Sequence, residues 1–317
     1  MARDYIHNHK DFADLLDIVG RDMGILPGLV EKDYWIMQVL YGLKKQGFTF
    51  RLKGGTSLSK GYKIIDRFSE DIDIYITPPP ELNVDEDPSK VGKKSIESRK
   101  DFYDWLAKGI EIDGIVSVAR DSVFDNKIFT SGGIRLLYES KKERIEGVKP
   151  GILLEAGFDR VTPGDSLNIG SWALESALST LGDKIINNTA VDIHCYHPGY
   201  TFVEKLQTIA TKFRQEQSEQ KDYPNYMRQY YDVACLLGRD EVQQFIGTEE
   251  YEQHKKLRFP KKDLEIPVAQ NEAFLLSDPE LREKFKARYS ATANLYYRGQ
   301  RPFEELLGTI HANLHRL

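Results

Sequence analysis

The sequence of 317 residues contains little cysteine and no long apolar run. Its two cysteines, Cys195 and Cys235, lie among apolar neighbours, which favours free thiols over a disulfide, and their spacing fits no zinc motif. No segment approaches the ~18 consecutive apolar residues of a membrane-spanning helix. Residues 3–10 are charged and lack an apolar core, so we expect no signal peptide, no membrane partner and a cytoplasmic protein.

An excess of positive charge is also lacking. The net charge of −5 and the isoelectric point of 5.9 exclude a protein that coats nucleic acid through bulk electrostatics. Two local basic clusters remain, at residues 141–149 and 255–262. Each is either a solvated face that keeps the protein soluble or part of a patch that binds nucleic acid.

The order of the periodic segments predicts a mixed α/β part followed by a helical part. Near Pro198 and Gly199 the pattern changes, which predicts an α/β domain over residues 1–199 and a helical domain over 200–317. Strands are predicted at residues 48–53, 72–76, 115–119, 133–138, 151–158 and 191–196. Helices are predicted at 11–19, 26–45, 56–65, 96–108, 202–213, 230–237, 241–246, 278–287 and 303–314.

A glycine pair followed by hydroxyl residues stands between a predicted strand and a predicted helix. It consists of Gly54, Gly55, Thr56 and Ser57. Glycines at a helix start let backbone N–H groups and the helix dipole face a phosphate with no Cβ in the way. The alternative is an ordinary tight turn in which Thr56 caps the helix.

Two aspartates follow on the next predicted strand. Asp71 and Asp73 are two residues apart among apolar residues, so both side chains leave the same face. Such a pair can bind Mg²⁺ or Mn²⁺ together with phosphate oxygens, so that the glycine turn and the metal ligands would serve one reaction. The alternative is an edge strand with a charged outer face.

The segments KGGTSLSKGY (53–62) and RFSEDIDIYI (67–76) together resemble the signature of the DNA-polymerase-β-like nucleotidyltransferases. More closely, they resemble the AbiEii/AbiGii toxin family of type IV toxin–antitoxin systems, which includes the MenT toxins. The resemblance implies an α+β fold: a mixed sheet with flanking helices, then a helical domain that completes the active site. It extends through EKDYW at 31–35, FVEKLQTIATKFR at 202–214 and YDVACL at 231–236.

The same resemblance implies site residues beyond Asp71 and Asp73. The family's lysine motif maps onto Lys205, which would offset charge on the phosphates. The final aspartate motif maps onto Asp232, which would either hold Lys205 in place or orient the base or ribose. The nucleotide-binding set is expected to be Gly54, Gly55, Thr56, Ser57 and Arg67, with Ser57 the favoured hydroxyl.

Arg67 and a third acid leave alternatives open. Arg67 either reaches a phosphate or pairs with Asp66 or Glu70. Glu155, on the strand predicted at 151–158, is the expected third carboxylate in place of the family's usual aspartate. It would act either as the base that takes the acceptor proton or as a residue that holds other site residues without touching the substrate. Asp159, at the end of the same strand, is expected to pair with Arg160.

The implied function is a magnesium-dependent transfer of NMP from an NTP to an RNA acceptor, expected to be the 3′ end of tRNA. Such a toxin would block translation and growth, within a toxin–antitoxin or phage-defence system that encodes a cognate antitoxin nearby. Two alternatives stay open: nucleotidylation of a protein or small molecule, and a catalytically silent module that only binds nucleotide.

Overall fold

The computed structural model describes residues 3–145, 147–219 and 221–317. Within them, one mixed sheet has seven strands: β1 (Phe50–Lys53), β2 (Asp71–Ile76), β3 (Ile115–Asp121), β4 (Ser131–Tyr138), β5 (Ile152–Gly157), β6 (Gly164–Ile169) and β7 (Ala190–Tyr196). Their spatial order is β3-β4-β5-β2-β1-β7-β6. The central strand β2 pairs antiparallel with β1 and parallel with β5.

Helices precede, separate and follow these strands. Five are associated with the sheet: α1 (Phe12–Met23), α2 (Pro27–Lys45), α3 (Gly54–Thr56, continued as a π-helical turn over Ser57–Gly61), α4 (Lys93–Gly109) and α5 (Trp172–Leu181). The rest follow β7: α6 (Pro198–Glu219), α7 (Arg228–Leu237), α8 (Asp240–Phe245), α9 (Glu249–Arg258), α10 (Lys261–Leu264), α11 (Glu272–Leu275), α12 (Pro279–Ser290) and α13 (Phe303–Asn313).

Helix α2 is buried along most of its length and packs against β5 and β7. Pro27 starts it, in the first-turn position where proline's missing N–H costs nothing. Three consecutive charged residues, Glu31, Lys32 and Asp33, are at most 3 % exposed. Buried charges must be paired, and each of these three has partners in a different segment of the chain.

These partners tie α2 to the loops around the sheet. Glu31 accepts hydrogen bonds from the Ser140 hydroxyl and the Lys141 amide. Asp33 forms an ion pair with Lys60 at 2.6 Å and accepts a bond from the amide of Trp172, the first residue of α5. The ammonium of Lys32 binds the Lys149 carbonyl at 2.6 Å and Glu70 at 3.2 Å.

By internal packing the chain forms two compact units. The first comprises Met1–Tyr62 and Phe68–Tyr196, and the second comprises Lys63–Arg67 and His197–Leu317. The short segment is held within the second unit by backbone and hydroxyl bonds: the Asp66 amide donates to Tyr231 Oη, and Tyr297 Oη donates to the Ile65 carbonyl. The expected division into domains at residue 199 stays a prediction, because compactness alone does not define a folding domain.

The structure confirms the α+β class, with a mixed sheet, flanking helices and a helical part after β7. It corrects three expectations about elements. Five elements lie where none was predicted, namely β6, α5, α9, α10 and α11. The helix predicted at 56–65 spans Gly54 to Gly61 instead, because Lys63 adopts a left-handed φ of 55° that ends the helix. The helix predicted at 202–213 is longer, because α6 begins at Pro198 and ends at Glu219.

Both cysteines are free thiols, as expected. No helix among the described residues combines the length and the apolar character that crossing a membrane requires.

Candidate active site

A row of carboxylates lies across the centre of the sheet. In β2, Ile72 and Ile74 point into the core, so Asp71 and Asp73 share the opposite face. In the parallel pairing of β2 with β5, Asp73 stands beside Glu155. The three acids therefore converge on one face, as the sequence predicted for Glu155.

Gly54 makes room for the central acid. Its φ is +70°, and a Cβ there would lie 2.9 Å from Asp73 Cγ and would overlap Oδ2. The next turn fixes Asp71 through its backbone, since the Thr56 hydroxyl donates to the Asp71 carbonyl at 2.6 Å. The glycine turn thus positions both aspartates. This structural role is independent of its predicted role in phosphate binding.

The interpretation of Thr56 as a helix cap is wrong. The N-cap residue is Lys53, and Thr56 lies inside the helix with its hydroxyl directed to β2. Thr56 and Ser57 are both fully buried, as is the backbone of Gly55. Nucleotide binding by Gly54, Gly55, Thr56 and Ser57 stays a prediction, and the partly exposed Gly54 is the member that reaches the surface.

Lys53 borders the carboxylate row on the β1 side. It stands opposite Asp73 in the β1–β2 pairing, and its ammonium is 3.1 Å from Asp159 Oδ2. Asp159 therefore forms an ion pair with Lys53. Sequence adjacency had predicted an ion pair with Arg160 instead, and the described residues do not form it. Arg160 contributes only its backbone amide, which donates to Asp159 Oδ1.

The electrostatics of the row single out Glu155. Burial, together with the negative charges of Asp73 and Asp71, raises the pKa of Glu155 to about 7, although Lys149 and Lys53 oppose the change. A carboxyl group with such a pKa exchanges a proton near neutral pH, which is the property a general base needs.

The residues present fit a divalent cation. Asp71 Oδ1 is buried and accepts no hydrogen bond from the described residues, although a buried carboxylate oxygen calls for a partner. Among those residues no three or more His, Cys, Asp or Glu side chains are grouped to hold a metal by themselves. Magnesium, however, is commonly bound by one or two carboxylates together with substrate phosphates, and Asp71 and Asp73 match that pattern.

The second unit contains a buried charge cluster around Asp232. Arg67 donates Nε and Nη2 to the two carboxylate oxygens, each at 2.6 Å, and Lys205 Nζ lies 3.1 Å from Oδ2. Asp232 is fully buried and its two partners are nearly so. Burial opposes ionisation, but Arg67 and Lys205 hold the pKa of Asp232 below its usual value.

This cluster bears on two residues that the sequence left open. Among the described residues, Arg67 pairs with neither Asp66 nor Glu70 but with Asp232, which is 165 residues away in sequence. Lys205 is 3.1 Å from Asp232, as one of the two roles proposed for Asp232 requires, but which role Asp232 has stays a prediction. The remaining nucleotide-binding role expected for Arg67 stays a prediction.

The basic cluster at 255–262 lies at the end of α9 and in α10. Helix α9 begins with Glu249, Glu250 and Glu252 and ends with Lys255, Lys256 and Arg258. Negative charge at the N-terminus and positive charge at the C-terminus stabilise a helix against its macrodipole. The cluster therefore has a structural explanation that requires no nucleic acid.

Sequence reasoning missed Lys149, whose ammonium is 2.6 Å from Asp71 Oδ2. It was placed only within the basic cluster at 141–149, which was interpreted either as a solvated face or as part of a nucleic-acid-binding patch. Lys149 stands three residues before β5, and parallel strands begin at the same edge of a sheet. The register of β5 against β2 would have been the signal, and it cannot be read from the sequence.

Comparisons with known proteins identify a family and one similar structure. A family model described as "Nucleotidyl transferase AbiEii toxin, Type IV TA system" matches residues 38–309. Among solved structures, the chain is similar to MenT4, the nucleotidyltransferase toxin Rv2826c from Mycobacterium tuberculosis H37Rv. That similarity has a TM-score of 0.49 and 14 % sequence identity, over 95 % of this chain and 98 % of that chain. The search of curated proteins gave no match.

We predict that Gly54→Ala destabilises the protein more than Gly24→Ala. Both glycines have a φ in the left-handed region, but a Cβ added to Gly24 would meet no atom within 4 Å. Gly24→Ala should cost about 1–2 kcal/mol for the backbone alone, and Gly54→Ala about 2–5 kcal/mol because the Asp73 carboxylate must also move. Urea unfolding measures both. Equal losses would show that the Asp73 contact does not constrain this turn.

We predict that Asp232→Asn removes about 3–5 kcal/mol from the free energy of unfolding, because two cations stay buried without their counter-charge. Lys205→Met should cost only about 1 kcal/mol, since the bidentate Arg67 pair persists. Urea unfolding of the two variants tests this ordering. A loss for Lys205→Met as large as that for Asp232→Asn would contradict it.

The raised pKa of Glu155 predicts a pH-dependent stability in metal-free protein. Between its ordinary value of 4.5 and about 7 the folded state binds more protons than the unfolded state, so stability falls as pH rises through this window. The glutamine side chain of the Glu155→Gln variant does not titrate, so this loss is absent. The free energy of unfolding of the variant, relative to that of the wild type, should therefore rise by about 1–3 kcal/mol from pH 4.5 to pH 8.

Urea unfolding in EDTA at the two pH values measures this gain. The control is Glu97→Gln, an exposed position on α4. A Glu155→Gln difference that is the same at both pH values would refute the raised pKa of Glu155.

Proposed function

We propose a function from one premise: the chain belongs to the AbiEii family of nucleotidyltransferase toxins of type IV toxin–antitoxin systems. It is accordingly a nucleotidyltransferase that takes an NTP as substrate, and its family implies a cognate antitoxin. We propose further that it transfers NMP to RNA, with the 3′ end of tRNA as acceptor, and thereby blocks translation and growth in the cytoplasm. A role in phage defence is part of the same proposal.

One observation carries the chemical part of this proposal. The strand register puts Asp71, Asp73 and Glu155 on one face, and the backbone of Gly54 approaches the Asp73 carboxylate so closely that no Cβ would fit between them. The alternative of an edge strand with a charged outer face is wrong, because β2 is paired on both sides. Three acids on one face of a central strand pair repel one another, which costs stability without a bound cation. A site that receives a divalent cation and a polyphosphate does need them.

We propose that Asp71 and Asp73 hold the divalent cation, Mg²⁺ or Mn²⁺. When bound, such an ion supplies positive charge that stabilises the phosphate oxygens and the leaving pyrophosphate. Asp71 supports this assignment, because no described residue donates to its buried Oδ1 and the carboxylate can therefore accept a further cation.

Glu155 is the proposed base. As the acceptor hydroxyl attacks, its proton passes to the Glu155 carboxylate and its oxygen forms a bond to the α-phosphorus. The bond from that phosphorus to the oxygen bridging to the β-phosphate breaks, and pyrophosphate leaves. A pKa of about 7 suits this role, because the group can take a proton at neutral pH and release it between turnovers.

Lys205 and Asp232 have proposed roles that follow from the family motifs. Lys205 would offset negative charge that builds on the phosphates, as a flexible point charge can. Asp232 would act through Lys205 and Arg67, since both cations bind its carboxylate, and it is therefore a positioning residue.

The test is a labelling reaction with purified protein, Mg²⁺, total tRNA and each α-labelled NTP in turn. We expect label in tRNA from one or more NTPs with the wild type, and none with Asp71→Ala/Asp73→Ala, because the metal ligands are gone. Asp101→Ala, an exposed carboxylate on α4, is the matched control and should label like the wild type.

Each other outcome contradicts a defined part of the proposal. Label in tRNA that survives the double substitution would refute the role of Asp71 and Asp73. Label in a protein instead of tRNA would refute the RNA acceptor. Absence of label with every NTP, despite measurable NTP binding, would favour a module that only binds nucleotide.

A further inference from the structure

The ammonium of Lys149 is bound to Asp71, one of the three acids of the carboxylate row. Its Nζ is 2.6 Å from Asp71 Oδ2 and 4.9 Å from the centre of the Phe124 ring. The Lys149 side chain is 33 % exposed and that of Asp71 is 22 % exposed, so the contact is accessible from solvent. This is a cation already bound to a proposed metal ligand.

The backbone of Lys149 is fixed independently of that contact. Lys32 donates to the Lys149 carbonyl at 2.6 Å, and the Lys149 amide donates to Glu70 Oε2 at 3.0 Å. Lys32 and Glu70 are also paired with each other at 3.2 Å, and the Lys32 side chain is only 3 % exposed. The main chain at residue 149 is therefore anchored to α2 and to the residue before Asp71, while the ammonium is at the end of four flexible methylenes.

A divalent cation held by the Asp71 carboxylate would lie close to the Lys149 ammonium, which is 2.6 Å from Oδ2. The two cations would repel each other, so each would weaken the binding of the other to Asp71. The flexible side chain allows Lys149 to leave without moving its backbone. An ammonium released next to a metal-bound polyphosphate has anionic oxygens as its nearest favourable partners.

We propose that Lys149 holds the place of the divalent cation on Asp71. It neutralises the carboxylate while no metal is bound, yields Asp71 Oδ2 when the metal enters, and then binds a phosphate oxygen of the NTP. Lys32 and Glu70 are positioning residues that keep the backbone of Lys149 in reach of both partners. This inference rests on the proposed function, because it assumes that Asp71 binds a metal.

The experiment titrates Mn²⁺ into nucleotide-free protein and measures free Mn²⁺ by electron paramagnetic resonance. Lys149→Met and Lys149→Gln should both bind Mn²⁺ tighter than the wild type, by about tenfold or more, because no ammonium competes for Asp71. Lys149→Arg keeps the charge and should stay close to the wild type. Using two neutral variants keeps the test decisive if one of them fails to fold.

The matched control is Lys142→Met. Lys142 lies on the same loop segment, but its ammonium pairs with Asp17 at 2.6 Å and not with the carboxylate row. This variant removes the same charge from the protein, so Mn²⁺ affinity should remain that of the wild type. Equal tightening in Lys142→Met and Lys149→Met would show a general charge effect and would overturn the proposal.

A second readout separates Lys149 from a merely structural residue. At saturating Mn²⁺, the neutral Lys149 variants should bind NTP about tenfold more weakly or worse, since a phosphate contact is lost. Affinity for metal and affinity for nucleotide thus change in opposite directions. A loss of both, or no change in NTP affinity, would overturn the assignment of Lys149 to the phosphate.

The outcomes also distinguish this inference from the proposed function. If wild type and neutral variants bind Mn²⁺ equally, and Asp71→Asn abolishes binding, the metal site stands and Lys149 does not compete for it. If none of the proteins binds Mn²⁺, the metal part of the proposed function fails and the role of Lys149 fails with it.

Discussion

Burial of three consecutive charges on α2 constrains the rest of the first unit. Glu31, Lys32 and Asp33 each require counter-charges or hydrogen bonds that the helix itself cannot supply. The loops that provide them are thereby held at defined positions around the sheet: residues 140–141, the 149 backbone and the start of α5. One helix thus fixes loops far apart in sequence, including one that reaches the carboxylate row.

The carboxylate row converts this scaffold into a site. Asp71 and Asp73 leave the sheet because the strand alternates, and Glu155 joins them because β2 and β5 run parallel in register. The cost of three acids on one face is moderated by Lys149 on one side and Lys53 on the other. Without a bound metal ion, the two lysines offset the charge of the acids. A bound metal ion would offset that charge instead, and a polyphosphate would offer the lysines new anionic partners.

Much of this site could be predicted from the sequence because its chemistry is local. The Asp-x-Asp strand and the glycine turn need only periodicity and neighbouring residues, and the family motifs extended them to Lys205 and Asp232. The contacts that escaped prediction are those set by tertiary pairing: Lys149 on Asp71, Lys53 on Asp159, and Arg67 on Asp232. Sequence adjacency had suggested Arg160 and Asp66 or Glu70 instead, because an ion pair between neighbours is the only kind a sequence displays.

The five residues from Lys63 to Arg67 limit how gene segments that encode this protein can recombine. They lie within the first half of the chain yet pack in the second unit, where Arg67 supplies half of the counter-charge to Asp232. A gene fragment that encodes only the region after Tyr196 would lack them and would leave a buried aspartate with a single cation. The second unit therefore cannot be exchanged between proteins as one continuous cassette, and recombination among relatives should preserve both pieces together.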